Sequence, residues 1–341
     1  MGIVYAGVKI RCALKFNALL NQLDRLIGKS KRKNETNMFA KLESQRNLRF
    51  MSKLPDMEES QKIIETMMDK DTPYSVIRFG LYEYILCRQF LEIQNHLRKD
   101  YSDFIKYHIN IDAGMFSNES CDMDEYARLI LENLSFADVV AYWRNYPEKL
   151  VCGSFFDRKV KHIPVESLYP YPFLHPNKFP SWQQKLKGKK VLVVSAFAKT
   201  VEKQYEKRLE IWKEKVDEIL PVFNLISFQA VQTCGAAEHE KYDNWRSAFD
   251  DMLYEILHID FDIALISCGS YGMPLALELK KAGRSAIQWG GCFQLWFGIM
   301  GKRWQNDEAV LSCINEAWTY PDESEVPPMA KLVGDGSYWK S

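Results

Sequence analysis

Residues 260–291, DFDIALISCGSYGMPLALELKKAGRSAIQWGG, restrict the fold more than any other stretch of the chain. Ile263 to Ile266 form an unbroken apolar run, which suits a strand covered on both faces. A glycine-bearing turn follows, then a helical pattern that stops at Gly283, then a second short apolar run. Strand, turn, helix and strand within roughly thirty residues is the length and order of a right-handed βαβ unit. That unit requires a parallel sheet.

The same alternation extends in both directions. GKKVLVVSAFAKTVEKQYEKRLEIW, residues 188–212, reads as a buried strand, a turn at Ser195 to Ala198 and a long charged helix. FNLISFQAVQT supplies another strand region, and the pattern predicts a helix over 243–258. Upstream, a helix over 57–69 leads into a strand at 75–80 and a helix to about residue 98. The stretch 100–180 carries no clear pattern of elements. It contains YHINIDAGMFSNES, the apolar FADVVAYW, and a connector with prolines at 170, 172, 176 and 180, which reads as extended. The expected fold is therefore α/β: a Rossmann-like, mostly parallel sheet with flanking helices, over residues 56–341. Two halves, 56–180 and 186–341, meet at the connector, and residues 1–55 form a basic helical extension.

Charge and apolar content narrow the function classes. The chain's 341 residues are 47% hydrophobic and 26% charged with zero formal net charge, as in water-soluble globular proteins. No apolar run reaches the roughly 18–20 residues of a membrane span, and no secretory leader is legible. The cysteines form no C-x-x-C pair, which points to reduced thiols and a cytoplasmic setting and away from structural zinc. Residues 1–53 hold twelve Lys or Arg against three Asp or Glu. Within them, residues 8–33 place apolar side chains on one broad helical face with basic residues opposite. Such a helix lies either on the inner membrane surface or against the protein's own domain or a second copy of the chain. The rest of the chain offers no basic stripe, which argues against nucleic acid.

Three strand-to-helix junctions are candidates for chemistry: IRFGLYE, VSAFAKT and ISCGSYGMP. In an open parallel sheet, ligands bind beyond the carboxyl ends of the strands, where helix N-termini suit a diphosphate. The candidates there are Arg78, Gly80 and Glu83, then Ser195, then Gly269, Ser270, Tyr271 and Gly272. A fourth cluster, WGGCFQLWFGIMGKRW, adds Gly290, Gly291, Gln294, Lys302 and Arg303 among aromatic residues. The bland alternative at each is a tight turn with ordinary core and surface residues. G-x-G-x-x-G, the P-loop pattern and G-x-S-x-G are all missing, which disfavours nicotinamide, P-loop and serine-hydrolase chemistry. The six histidines lack metal-ligand spacing and read as structural, with His175 beside Pro176 the one worth testing. Asp112, Glu119 and Asp124 are candidates for an acceptor pocket.

Taken together, SVIRFGLYE, GKKVLVVSAFAKTVEKQY, FQAVQT, DFDIALISCGSYGMPLA and GGCFQLWFGIMGKRW resemble the GT-D-fold glycosyltransferase-like proteins of bacterial polysaccharide and glycoprotein assembly. The likeness spans about residues 57–341. It implies transfer of a hexose from a nucleotide sugar, a UDP-sugar foremost, to a glycan or lipid-linked acceptor of cell-envelope or capsular polysaccharide. It also implies a Mn or Mg ion held by Asp-x-Glu within Arg-Phe-Gly-Asp-Gly-Glu. The matching residues here are Arg78, Phe79, Gly80, Leu81, Tyr82 and Glu83, so Leu81 stands where the pattern has aspartate. Three alternatives follow. Glu83 holds the metal with the diphosphate alone; Arg78, Lys302 and Arg303 replace it; or the chain is a catalytically silent binding or scaffold protein of the same pathway.

Overall fold

The buried apolar runs become seven strands of one sheet, all parallel: β1 Ser75–Arg78, β2 Val139–Tyr142, β3 Lys161–Pro164, β4 Lys190–Ser195, β5 Asn224–Gln229, β6 Ile263–Ser267 and β7 Ala286–Gln288. Their order across the sheet is β3-β2-β1-β7-β6-β4-β5. The computed structural model describes residues 45–116, 119–143, 152–169, 182–235 and 239–340. Residues 8–33, the connector prolines and His175 lie outside them.

Strand side chains alternate between two cores, as a pleated sheet covered on both faces requires. Val191, Val193, Ile263, Leu265 and Ile287 point into one, and Leu192, Val194, Ala264, Ile266 and Ala286 into the other. The second core is roofed by helices α2 Leu81–Gln94, α3 Asp103–Ile111, α4 Ser120–Asn133, α6 Trp245–Leu257 and α7 Gly272–Lys281. The first is roofed by α1 Met57–Met68, α5 Ala198–Glu206 and the aromatic stretch after β7. Caps mark where these helices begin. Asp56, Ser102 and Asn244 accept hydrogen bonds from Glu59, Ile105 and Ser247 backbone N–H groups.

Three expectations change. β1 ends at Arg78 rather than residue 80. The long helix after Ser195 stops at Glu206, and a separate turn of helix, Arg208–Trp212, buries Ile211 and Trp212. Trp212 then donates from Nε1 to the Trp296 carbonyl at 2.9 Å. The unpatterned stretch 100–164 contains α3, α4, β2 and β3, so both halves build one sheet. Among the described residues, no helix is long and apolar enough to cross a membrane.

Candidate functional site

Helices leave neighbouring strands in opposite directions at three places. The chain after β1 and β6 turns to one face, as α2 and α7, while after β7 and β4 it turns to the other. The gaps between β1 and β7, between β7 and β6 and between β6 and β4 are therefore switch points, where the loops part and leave a crevice. A cavity of about 310 Å³ lies there, lined by the carboxyl-end loops of β1, β4, β6 and β7 and by residues 333–339. Its charged lining residues are Arg78, Glu83, Asp112 and Arg303, and Trp143, Tyr169, Trp289, Trp304 and Tyr338 supply aromatic surface.

Arg78 sits at the last position of β1. Its backbone N–H donates to Gln288 Oε1 on β7 at 2.9 Å, and Nε donates to the Trp289 carbonyl at 3.3 Å. The guanidinium carbon lies 5.9 Å from the centre of the Trp143 ring, whose Nε1 donates to the Phe79 carbonyl. Gly290 makes this placement sterically available: a Cβ there would lie 2.1 Å from Arg78 Nη2, and its φ of +87° is one that side-chain-bearing residues rarely adopt.

Glu83 occupies the third position of α2 and folds back over the N-cap, Gly80. A Cβ at Gly80 would lie 1.8 Å from Glu83 Oε2, so any side chain there would displace the carboxylate. Burial pushes the Glu83 carboxyl up from the ordinary carboxylate range, opposed by its own backbone N–H and by the nearby Arg78 charge. Arg303 is exposed at the cavity, stacks beside Trp304 and Tyr338 at 5.3 Å each, and donates to the Tyr338 hydroxyl at 3.1 Å.

Of the residues singled out from sequence, Arg78, Gly80, Glu83, Gly269, Tyr271, Gly272, Gly290, Gly291 and Arg303 share this cavity. Ser195, Ser270, Gln294 and Lys302 are not in its lining, because each serves the chain itself. The Ser195 hydroxyl accepts the Phe197 N–H within the turn. The Ser270 hydroxyl accepts from Trp245 Nε1, and the Ser270 N–H donates to the Ala113 carbonyl. Gln294 Nε2 donates to the Met300 and Tyr338 carbonyls. Lys302 pairs with Asp335 at 2.5 Å. Among the acceptor candidates, Asp112 lines the cavity, whereas Asp124 accepts from the Tyr101 hydroxyl at 2.6 Å and Glu119 stands at the N-cap position of α4.

The helix N-terminus after β4 is likewise taken. The buried Glu325 carboxylate accepts from the backbone N–H groups of Lys199 and Thr200, at 2.8 and 3.3 Å, and from the Thr200 hydroxyl. A carboxylate at a helix N-terminus is stabilising, and residues 323–339 are thereby held against α5. Glu325→Ala leaves these donors without their partner, and we expect about 1–3 kcal/mol of stability lost. A lowered urea midpoint at unchanged slope is the readout; an unmoved midpoint contradicts this role.

Sequence reasoning missed two contributors. Residues 333–339 wall the cavity through Val333, Ser337, Tyr338 and Trp339, and only a glycine-rich turn beside an aromatic pair signals them. His108 pairs with Asp112 through Nδ1 at 2.6 Å, and the four-residue helical spacing of H-x-x-x-D is its signature. Cys234, Cys268 and Cys292 also line the cavity. Burial pushes the Cys234 thiol up to about 12 and Cys292 to about 11, so neither supplies a thiolate nucleophile at neutral pH.

The donor set does not fit the divalent ion implied by the Asp-x-Glu pattern. Leu81 offers no ligand, and the Glu83 carboxyl is buried with a raised pKa. Among the described residues, no three His, Cys, Asp or Glu side chains gather as a metal site.

The chain matches the family model for the GT-D fold-like domain over residues 56–295, well over half its length. A solved selenomethionine structure of a domain of unknown function, 1792, is similar at 13% identity and a TM-score of 0.44, covering 83% of this chain and 96% of that one. A comparison with curated proteins finds no match. The chain belongs to the GT-D fold-like family, whose fold is glycosyltransferase-like.

Proposed function

We propose that the protein transfers a sugar from a nucleotide-sugar donor, a UDP-sugar foremost, to a glycan or lipid-linked acceptor in cell-envelope or capsular polysaccharide synthesis. The observation that carries this reading is the convergence of Arg78 and Arg303, from loops at opposite ends of the sequence, on one aromatic-walled cavity at the carboxyl ends of parallel strands. As the bond from the sugar's anomeric carbon to phosphate breaks, its electron pair passes to the departing nucleoside diphosphate. Fixed guanidinium groups meet that growing charge without reorganising. Because the carboxylates do not form a chelate, the two arginines take the role of the implied cation.

Glu83 is the proton acceptor in this scheme. The acceptor hydroxyl gives its proton to the carboxylate as its oxygen bonds the anomeric carbon, and burial tunes a carboxyl toward neutral pH for such work. The raised pKa has a definite sign. Activity climbs with pH through the raised value, above the ordinary carboxylate range. Glu83's contribution to stability runs the other way, being present below that range and lost as pH rises through the raised value. Glu83→Gln is expected to abolish transfer, and the acid limb with it, while donor binding stays within a few fold. Full turnover in that variant removes Glu83 from the chemistry.

The test is incubation with a panel of UDP- and GDP-sugars, with and without a lipid-linked acceptor, in EDTA and in Mn²⁺. Nucleoside diphosphate release that persists in EDTA supports the proposal. A second reading, a silent sugar-nucleotide-binding or scaffold protein, is favoured by Leu81 in the aspartate position. It predicts that a donor raises the melting temperature with no release. If no nucleotide shifts melting, both readings fail.

A further inference from the structure

We infer that α3 and the first turn of α2 form a subsite for the pyranose ring of the acceptor, an assignment that rests on the donor reading above. Tyr82 and Asp112 line the cavity. The Tyr82 ring stacks on the His108 imidazole with centroids 4.8 Å apart and planes 7° from parallel. Phe104 lies tilted at 4.4 Å from the same imidazole and Tyr107 edge-on at 5.0 Å. Phe104 and Tyr107 are each 53% exposed, although burying them would be favourable. The surface is thus an apolar aromatic shelf continuous, through Tyr82, with the mouth of the donor cavity.

The polar partner is at the same place. His108 Nδ1 holds Asp112 Oδ2 at 2.6 Å, which fixes the carboxylate, and Oδ1 makes no hydrogen bond to another side chain or backbone group among the described residues. A pyranose presents just this mixture: an apolar face of C–H groups to lie on a ring, and hydroxyl donors at its rim for a carboxylate. The carboxylate binds the sugar, and His108 is a positioning residue that acts through it. The reacting hydroxyl would then be delivered toward Glu83, which lines the same cavity.

The sugar chemistry can come from a free glycan end or from a lipid-linked sugar. Phenyl β-glucoside, β-galactoside and N-acetyl-β-glucosaminide represent the first, and the same hexoses on farnesyl diphosphate the second. Titration of each into the full chain is followed calorimetrically, with the UDP-induced melting shift recorded alongside. We expect saturable binding in both arms, weakened at least about tenfold by the pair Phe104→Ala and Tyr107→Ala, and by Asp112→Asn, with the UDP shift unchanged. His108→Phe keeps a ring in the stack but loses the Nδ1 bond, and should weaken binding as Asp112→Asn does. A tighter farnesyl arm that remains sensitive to these variants identifies the lipid-linked source; equal affinity in the two arms identifies the glycan. Unaltered binding in the double variant, or no binding of any probe to the native protein, overturns the subsite. A missing UDP shift defeats the donor reading instead.

Discussion

Arg78→Ala is expected to lower transfer by about 10²–10³-fold, the usual cost of removing one fixed donor to a developing negative charge. The loss should fall on kcat more than on donor KM, because the charge on the leaving diphosphate grows as the reaction proceeds. Stability should change little, since among the described residues the guanidinium makes long hydrogen bonds, 3.3 and 3.4 Å, to the Trp289 and Phe79 carbonyls and lies 5.9 Å from the Trp143 ring. The backbone N–H bond to Gln288, which ties β1 to β7, survives the substitution. Arg78→Lys should recover only part of the rate, because an ammonium lacks the planar fork. The measurement is kcat and KM with the active donor from the panel. An alanine variant with native kcat would take Arg78 out of the mechanism.

Gly290→Ala should be nearly as damaging, for a reason located in another loop. The added Cβ lies 2.1 Å from Nη2, 2.3 Å from Nε and 2.5 Å from the guanidinium carbon, so the side chain must leave its place. The φ of +87° adds about 1–2 kcal/mol of backbone strain for an L-residue. The variant is therefore both less stable and slow. A double-variant comparison separates the two effects. If Gly290→Ala acts by evicting the guanidinium, it costs no further activity once Arg78 is alanine, yet still lowers the urea midpoint. Additive activity losses would mean that Gly290 acts by some other route.

How far the amino-acid sequence discloses such a site depends on what each residue is bonded to. Strands β4 and β6 are legible because two-sided burial leaves apolar runs, and the βαβ length places β7 parallel to β6. β3, Lys-His-Ile-Pro, is a short edge strand with a single fully buried side chain, so its composition carries almost no strand signal. Arg78 and Glu83 are legible as candidate site residues because they flank Gly80 at a strand-to-helix junction. Ser195, Ser270 and Gln294 have the right chemistry in the right loops, but the Ser195 hydroxyl accepts from Phe197 within its own turn, while Trp245 and the Tyr338 carbonyl, distant in sequence, engage the Ser270 hydroxyl and Gln294 Nε2. The same holds for the helix start at Ala198, where the anion turns out to be Glu325. No local pattern distinguishes a polar group reserved for a ligand from one already satisfied by the fold.

The two strands that flank the cavity meet across a long interval: Arg78 and Gln288 are 210 positions apart. Pairing across so large a loop is slow, since closure entropy is incurred before contacts compensate it. The crevice therefore cannot exist in a partly assembled sheet, however much of each half has formed. Nucleotide capture should accordingly appear as a late kinetic event during refolding, behind recovery of helical circular dichroism. Its arrival would mark the moment when the first and last strands join.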